Sequence, residues 1–152
     1  MPTGAVSAYS DGAGGWIVTP RGTQTLEGAQ LKQVQGDIFR IYYRTLLSDT
    51  IAGRTVSAVD ANTVEIREGN ETARVSFDPE TGLPQKVVYE SVVMAGEPQS
   101  VEEDLTDFHD VSGVKVPFRV DILQGGRKFA AVTVTSYKTN TGLKLEDLSK
   151  RP

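Results

Sequence analysis

The feature that most constrains the fold is an alternation of apolar and polar residues with a period of two, which recurs from residue 56 onward. Alternation of this kind is typical of strands with one buried and one solvated face. Short segments rich in Gly, Asn and Asp separate the alternating runs, and such segments favour tight hairpin turns. We therefore predict an antiparallel sheet with strands at residues 56–59, 63–67, 73–77, 84–94, 99–108, a strand that ends at 123, and 129–139.

Residues 107–118 form a corner between two of these strands, with a tight turn at Ser112 and Gly113. Glycine accepts the positive φ that such a turn requires. The corner contains the single histidine of the sequence, His109. Because the chain offers no cysteine or second histidine as a further ligand, a metal site is the weaker interpretation. We interpret His109 as a surface or hydrogen-bonded turn residue.

The first 22 residues predict two short strands, at 6–9 and 16–19, joined by a glycine-rich loop. A glycine-rich loop binds phosphate when a helix follows and presents its N-terminal amides to the anion. Here a strand follows, at Trp16, so we interpret the loop as a turn. Pro20 lacks an N–H group, and we expect residues 20–22 to end the pairing.

Residues 26–47 form the convincing helical region, with Thr25 as its expected N-cap. Gly36 is expected to divide it, and Asp37 to cap the second piece. That second piece, at residues 38–47, is apolar on both sides. A helix of this kind is either packed on both sides within the core, or it lines a pocket for an apolar ligand on one side.

Length and composition narrow the class of protein. At 152 residues the chain predicts a single domain over residues 1–152, and its beginning suggests a piece cut from a longer protein. The net charge of −4 argues against nucleic acid as a partner, because phosphate binding requires clustered Lys and Arg. No apolar run approaches the length that spans a membrane.

None of the residues that could take part in catalysis gives a strong signal in the sequence. The acidic run Glu102-Glu103-Asp104 alternates between faces, so we interpret it as a solvated strand edge and not as an acid/base pair. No serine lies in a strand-turn-helix elbow. We therefore predict no catalytic residue, no metal and no cofactor, and we expect the chain not to be an enzyme.

Several turn and strand-start motifs follow one another through nearly the whole chain. They are Tyr9-Ser10-Asp11-Gly12 with Gly15-Trp16, Pro20-Arg21-Gly22, Phe77-Asp78 with Thr81-Gly82-Leu83-Pro84, Asp107-Phe108-His109-Asp110-Val111 with Gly113-Val114-Lys115-Val116-Pro117-Phe118, and Asn140 with Leu148-Ser149-Lys150-Arg151-Pro152. In this order they resemble the bacterial outer-membrane lipoprotein-sorting (LolA-like) family. Motifs of this kind bear on fold more than on function.

The resemblance implies an α+β, mainly β fold: a strongly curved antiparallel sheet, shaped as a half-open barrel, with the helical segment at 26–47 covering its concave face. It implies a fragment that lacks the family's N-terminal helix and first strands. It also implies a periplasmic or otherwise exported protein that binds a lipid or lipoprotein acyl chain without chemistry.

Two functions therefore remain open at this point. The chain is either such a carrier or an accessory interaction domain of a larger exported protein, for example a peptidase or a cytochrome, whose other domains would be its partners. For the carrier, the expected apolar lining, whose members are equally suited to plain core packing, is Trp16, Ile38, Tyr42, Phe77, Tyr89, Phe118 and Val134.

Overall fold

The computed structural model describes residues 6–91 and 97–151, which form two compact units. The first unit contains the described residues before Phe39 and after Thr139, and the second runs from Phe39 to Thr139. The prediction of one domain over the whole chain stays a prediction. The strands are β1 (Ser7–Ser10), β2 (Gly15–Thr19), β3 (Gly22–Thr25), β4 (Arg54–Asp60), β5 (Thr63–Glu68), β6 (Glu71–Phe77), β7 (Pro84–Ser91), β8 (Gln99–Val111), β9 (Val114–Gln124) and β10 (Arg127–Thr133), and the helices are α1 (Gly28–Phe39), α2 (Tyr42–Leu46) and α3 (Leu145–Leu148).

In the first unit, β1, β2 and β3 form a three-stranded antiparallel sheet. The expectation that residues 20–22 end the pairing is wrong. Thr19 pairs with Gly22 across a hairpin, and Pro20 occupies a turn position, where its missing N–H costs no ladder hydrogen bond. In the loop before β2, the backbone N–H groups of Gly14 and Ala13 donate to Asp11 Oδ1, each at 2.9 Å, and thereby lower the pKa of Asp11.

The helical region also differs from its prediction. Thr25 belongs to β3 and is not an N-cap. Helix α1 continues through Gly36, which is buried, and the break falls instead at Ile41, whose φ of −50° and ψ of 127° are extended. Glycine costs about 1 kcal/mol in a helix interior. This cost does not break α1, because Gly36 is buried at a packed position of the helix. Among the described residues, none of the helices combines the length and hydropathy of a membrane-spanning segment.

The second unit contains a seven-stranded antiparallel meander whose strands follow one another in sequence order from β4 to β10. This confirms the mainly β, antiparallel architecture, while the strong curvature and the half-open barrel stay predictions. The described part of the strand predicted at 84–94 ends at Ser91, and its remainder lies outside the described residues. The strand predicted at 129–139 is shorter and ends at Thr133.

The register of the meander separates one apolar face from one charged face. One row of paired positions runs across the sheet through Val64, Val75, Val87, Glu103 and Ile122. The next positions along each strand form the opposite face, where Lys86 pairs with Asp104 and Asp104 with Asp121. On the first face, here called the apolar face, the buried cluster is Phe39, Ile66, Ala73, Val75, Val87 and Leu105.

Arg54 attaches residues 39–48, which include α2 and are called the helical segment from here on, to this sheet. Its side chain is completely buried, and its Nε donates to Glu68 Oε2 at 2.6 Å. Its Nη2 donates to the Phe39 carbonyl at 2.7 Å, and its Nη1 donates at 3.0 Å both to the Arg44 carbonyl and to Ser48 Oγ. A single guanidinium in β4 thus fixes residues 39–48 through three acceptors, which suits its planar fork of donors.

Candidate functional site

The candidate site is a small pocket in the second unit, between residues 40–45, which include the start of α2, and strands β7, β8 and β9. Its volume is about 160 Å³. Apolar groups dominate its wall, because Val87 and Leu105 are buried and Val120 packs against the same cluster. The lining residues are Arg40, Tyr42, Thr45, Pro84, Val87, Glu103, Leu105, Pro117 and Val120.

The volume limits what this pocket can hold. Sites for drug-sized ligands occupy roughly 300–1,000 Å³, whereas an apolar cavity of roughly 150 Å³ is enough for benzene. A space of about 160 Å³ therefore accommodates about six carbon atoms. Only a short segment of a longer chain would fit.

Two charged side chains interrupt the apolar wall, and Tyr89 connects them. The Tyr89 hydroxyl donates to Glu103 Oε1 at 2.7 Å. The guanidinium carbon of Arg40 lies 3.8 Å from the centre of the Tyr89 ring, a geometry typical of a cation–π contact. Arg40 also forms an ion pair with Glu71 at 3.4 Å, and only 9% of its side chain is exposed. We call Arg40, Tyr89 and Glu103 the polar corner.

The two hydroxyl groups that line the pocket donate to backbone carbonyls. Tyr42 donates to the Lys115 carbonyl at 2.8 Å, and Thr45 donates to the Arg40 carbonyl at 3.5 Å. Burial, with a smaller contribution from Tyr43, raises the pKa of Tyr42 to about 12. Tyr42 therefore stays a neutral donor at physiological pH.

The interpretation of residues 102–104 as a solvated strand edge is wrong, because β8 lies inside the sheet, between β7 and β9. Glu102 and Asp104 do face solvent, where Lys86 Nζ lies 2.6 Å from Glu102 and 3.5 Å from Asp104. This pairing, mainly with Glu102, raises the pKa of Lys86. Glu103 lies on the opposite, apolar face, in the wall of the pocket.

Of the residues expected to line an apolar cavity, Tyr42 lines this pocket. Phe77 and Tyr89 pack against the buried cluster, as core residues do. Phe118 stacks on His109 with ring centres 4.3 Å apart. Val134 follows β10, and its N–H donates to the Phe118 carbonyl at 2.8 Å.

The two remaining expected residues belong to the first unit. Trp16 lies in β2 and stacks on its cross-strand partner Tyr9, with ring centres 5.8 Å apart. Its buried indole N–H has no hydrogen-bond partner within the described part of the chain. Ile38 lies near the end of α1 and is half-buried.

Sequence reasoning missed most of the pocket. Val87 and Leu105 could be recognised as face-sharing strand positions, and the same alternation places Glu103 between Val101 and Leu105 on their face. Arg40 gave no comparable signal, because its burial depends on how the segment after α1 packs on the sheet.

His109 is exposed and hydrogen-bonded, as expected, but the turn position is wrong, because His109 lies within a strand. It lies in β8, with Nε2 2.9 Å from Asp107 Oδ1 and with 51% of its side chain exposed. The described residues contain no group of three or more His, Cys, Asp or Glu side chains placed to hold a metal ion.

Two larger depressions, of about 600 and 780 Å³, have mostly polar and charged rims. Glu65, Arg74 and Glu90 line the first, and Lys86, Asp104 and Asp121 are among the residues that line the second. Both are open, and ion pairs within the sheet already engage many of their charges.

The chain was compared with protein-family models, with curated proteins and with solved structures, and nothing matches it. The resemblance to the lipoprotein-sorting family therefore remains a prediction that rests on the motifs quoted above.

Proposed function

We propose that this chain is a non-enzymatic binding domain of the periplasm, whose ligand is an apolar molecule such as a lipid or a lipoprotein acyl chain. The observation that carries the proposal is the pocket of about 160 Å³ on the apolar face, walled by Val87, Leu105 and Val120. The pocket is partly open to solvent, so a ligand could enter it without displacing the buried cluster behind it.

The energy of binding follows from the size of the pocket. Six buried methylene-sized groups contribute about 5 kcal/mol at about 0.8 kcal/mol each, before the cost of association is subtracted. A free energy of about 5 kcal/mol alone would correspond to a Kd of about 0.2 mM, and the cost of association weakens it, so a six-carbon probe should bind in the millimolar range or more weakly. A longer ligand would gain affinity only through contacts outside the pocket. The half-open barrel implied by the family resemblance would provide such contacts along its concave face.

The test is an NMR titration of the purified chain with benzene. The methyl signals of Val87, Leu105 and Val120 should shift saturably. The variant Val120→Phe fills the pocket and should abolish the shifts, whereas Val132→Phe, at a 46% exposed position on β10, should retain them. Absence of saturable shifts in the unmodified chain would refute the proposal.

The second candidate is an accessory interaction domain of a larger exported protein. It is favoured by apolar side chains on the outer strands of the meander, since Phe129 is 64%, Val132 46% and Val56 43% exposed. If these strands contact another domain, their amide hydrogen exchange should be slower in the longer protein than in the isolated chain. Equal exchange rates in the two forms would argue against this candidate.

A further inference from the structure

The starting observation is the position of Glu103 in the sheet. It occupies one place in the row that runs from Val64 through Val75 and Val87 to Ile122, and the other members of that row are apolar. The side chain is half-buried, and it lines the pocket beside Leu105. A carboxylate in such a position costs free energy unless its oxygens are paired.

The pairing of Glu103 is incomplete. Its Oε1 accepts the Tyr89 hydroxyl, and within residues 6–91 and 97–151 no Lys, Arg or His lies within ion-pair distance of either oxygen. A carboxylate can accept about four hydrogen bonds, so the second oxygen of Glu103 can still accept one from a group in the pocket.

The donors that line the pocket are engaged elsewhere. Tyr42 and Thr45 donate to backbone carbonyls, and Arg40 is held by Glu71 and by the face of the Tyr89 ring. An entering ligand therefore meets an acceptor at Glu103, while the two hydroxyl donors around it already have acceptors and the Arg40 guanidinium already faces a carboxylate and an aromatic ring.

We propose that the ligand segment entering this pocket is amphiphilic: a chain of about six carbons that carries a hydrogen-bond donor, which Glu103 accepts. A hydroxyl and an ammonium group share this chemistry. A free carboxylate does not, because it offers no donor and its charge has the same sign as Glu103. The proposal rests on the proposed function and specifies the class of ligand.

The experiment titrates the chain at pH 7 with four probes: benzene, hexan-1-ol, hexylammonium and hexanoate, observed through the methyl signals of Val87, Leu105 and Val120. At least one of the two donor probes should bind at least about tenfold more tightly than hexanoate, because hexanoate leaves Glu103 unpaired and adds like charge. The donor probe that binds more tightly shows whether the ligand segment carries a hydroxyl or an ammonium group.

Glu103→Gln tests whether Glu103 is the acceptor. The amide oxygen still accepts the Tyr89 hydroxyl, so the fold should be retained. Loss of the charge should weaken hexylammonium about tenfold, change hexan-1-ol by less than about threefold, and remove the disadvantage of hexanoate. The matched control is Glu102→Gln, the adjacent carboxylate on the charged face, and it should leave all four affinities unchanged.

The possible failures are distinguishable. If benzene binds and hexanoate binds as tightly as both donor probes, the inference about the ligand is wrong while the proposed function stands. The inference is equally wrong if Glu103→Gln and Glu102→Gln have the same effect. If no probe shifts the three methyl signals, the proposed function itself is wrong, and the inference fails with it.

Discussion

Replacement of Arg54 by alanine should be among the most destabilising single changes in the second unit. The guanidinium is completely buried and has four acceptors within 3.0 Å, on Phe39, Arg44, Ser48 and Glu68. Truncation removes all four hydrogen bonds together. It also leaves the half-buried Glu68 carboxylate without its closest cation, because Arg44 lies farther away, at 3.8 Å.

The magnitude follows from these contacts. Removing one partner of a buried ion pair typically costs about 3–5 kcal/mol of the free energy of unfolding. We expect a loss of this size even if water enters the space, because the carbonyl and hydroxyl acceptors of Arg54 also lose their donor. The total stability of a domain is roughly 5–15 kcal/mol, so a large part of it would be lost. At a urea dependence of about 2 kcal/mol per molar, the unfolding midpoint should fall by about 2 M.

The assay is urea unfolding followed by far-ultraviolet circular dichroism, with amide hydrogen exchange as a local measurement. Exchange at the Thr45 and Leu47 amides should accelerate, because Arg54 no longer fixes the helical segment. Arg54→Lys should recover little of the loss, since one ammonium group cannot reproduce the planar fork.

The matched control is Arg67→Ala, which removes another arginine paired with a glutamate of the same sheet. Arg67 is 63% exposed, so its loss should cost less than about 1 kcal/mol. If Arg54→Ala proved as mild as this control, with an unchanged urea dependence, the idea that Arg54 attaches the helical segment would be refuted.

Three further predictions concern other sites. In a spectrophotometric titration Tyr42 should ionise near pH 12, and Tyr42→Phe should remove that step. Because the folded-state pKa of Tyr42 lies above the usual value, its contribution to stability is complete below about pH 10 and is lost as the pH rises toward 12. Glu65 has a lowered pKa through Arg74 and Arg67, and Asp121 has a lowered pKa through Arg119 and Lys128. The stabilisation that these carboxylates contribute is therefore complete above their usual pKa values of 4.5 and 3.8, and it is lost as the pH falls further. The urea midpoint should drop between pH 5 and 3, and it should drop less in a Glu65→Gln, Asp121→Asn double variant. Gly15→Ala would place a Cβ 2.1 Å from the Tyr9 carbonyl oxygen and should destabilise the first sheet by about 1–3 kcal/mol, whereas Gly14→Ala, with no atom within 4 Å of the added Cβ, should be near neutral in the same urea assay.

The strands of the meander were predictable from sequence because the rule that forms them is local. Val64 and Ile66, or Val101 and Leu105, alternate with polar neighbours, and the turns between strands contain Gly and Asn at the required places. Strand β8 is longer than predicted, since pairing with β9 continues through the corner to Val111. The positive φ of Asp107 does not end the strand.

The parts that could not be predicted depend on contacts between distant residues. Gly36 has an unfavourable propensity in a helix, but it is buried, and α1 continues through it. Arg54 and Arg40 read as surface residues in the sequence, and only the packing of the helical segment on the sheet buries them. The pocket wall could not be predicted for the same reason, because its residues come from four separate segments of the chain.

The sequential order of the seven-stranded sheet has a consequence for biosynthesis. Each strand of this meander after β4 pairs with the strand made just before it, so loop closure at each step is short and the nonlocal contacts that slow folding are few. The sheet can therefore grow hairpin by hairpin as the chain leaves the ribosome. Because Arg54 lies in the first of these strands and its backbone acceptors, on Phe39 and Arg44, precede it, the helical segment can dock before the second half of the sheet has been synthesised.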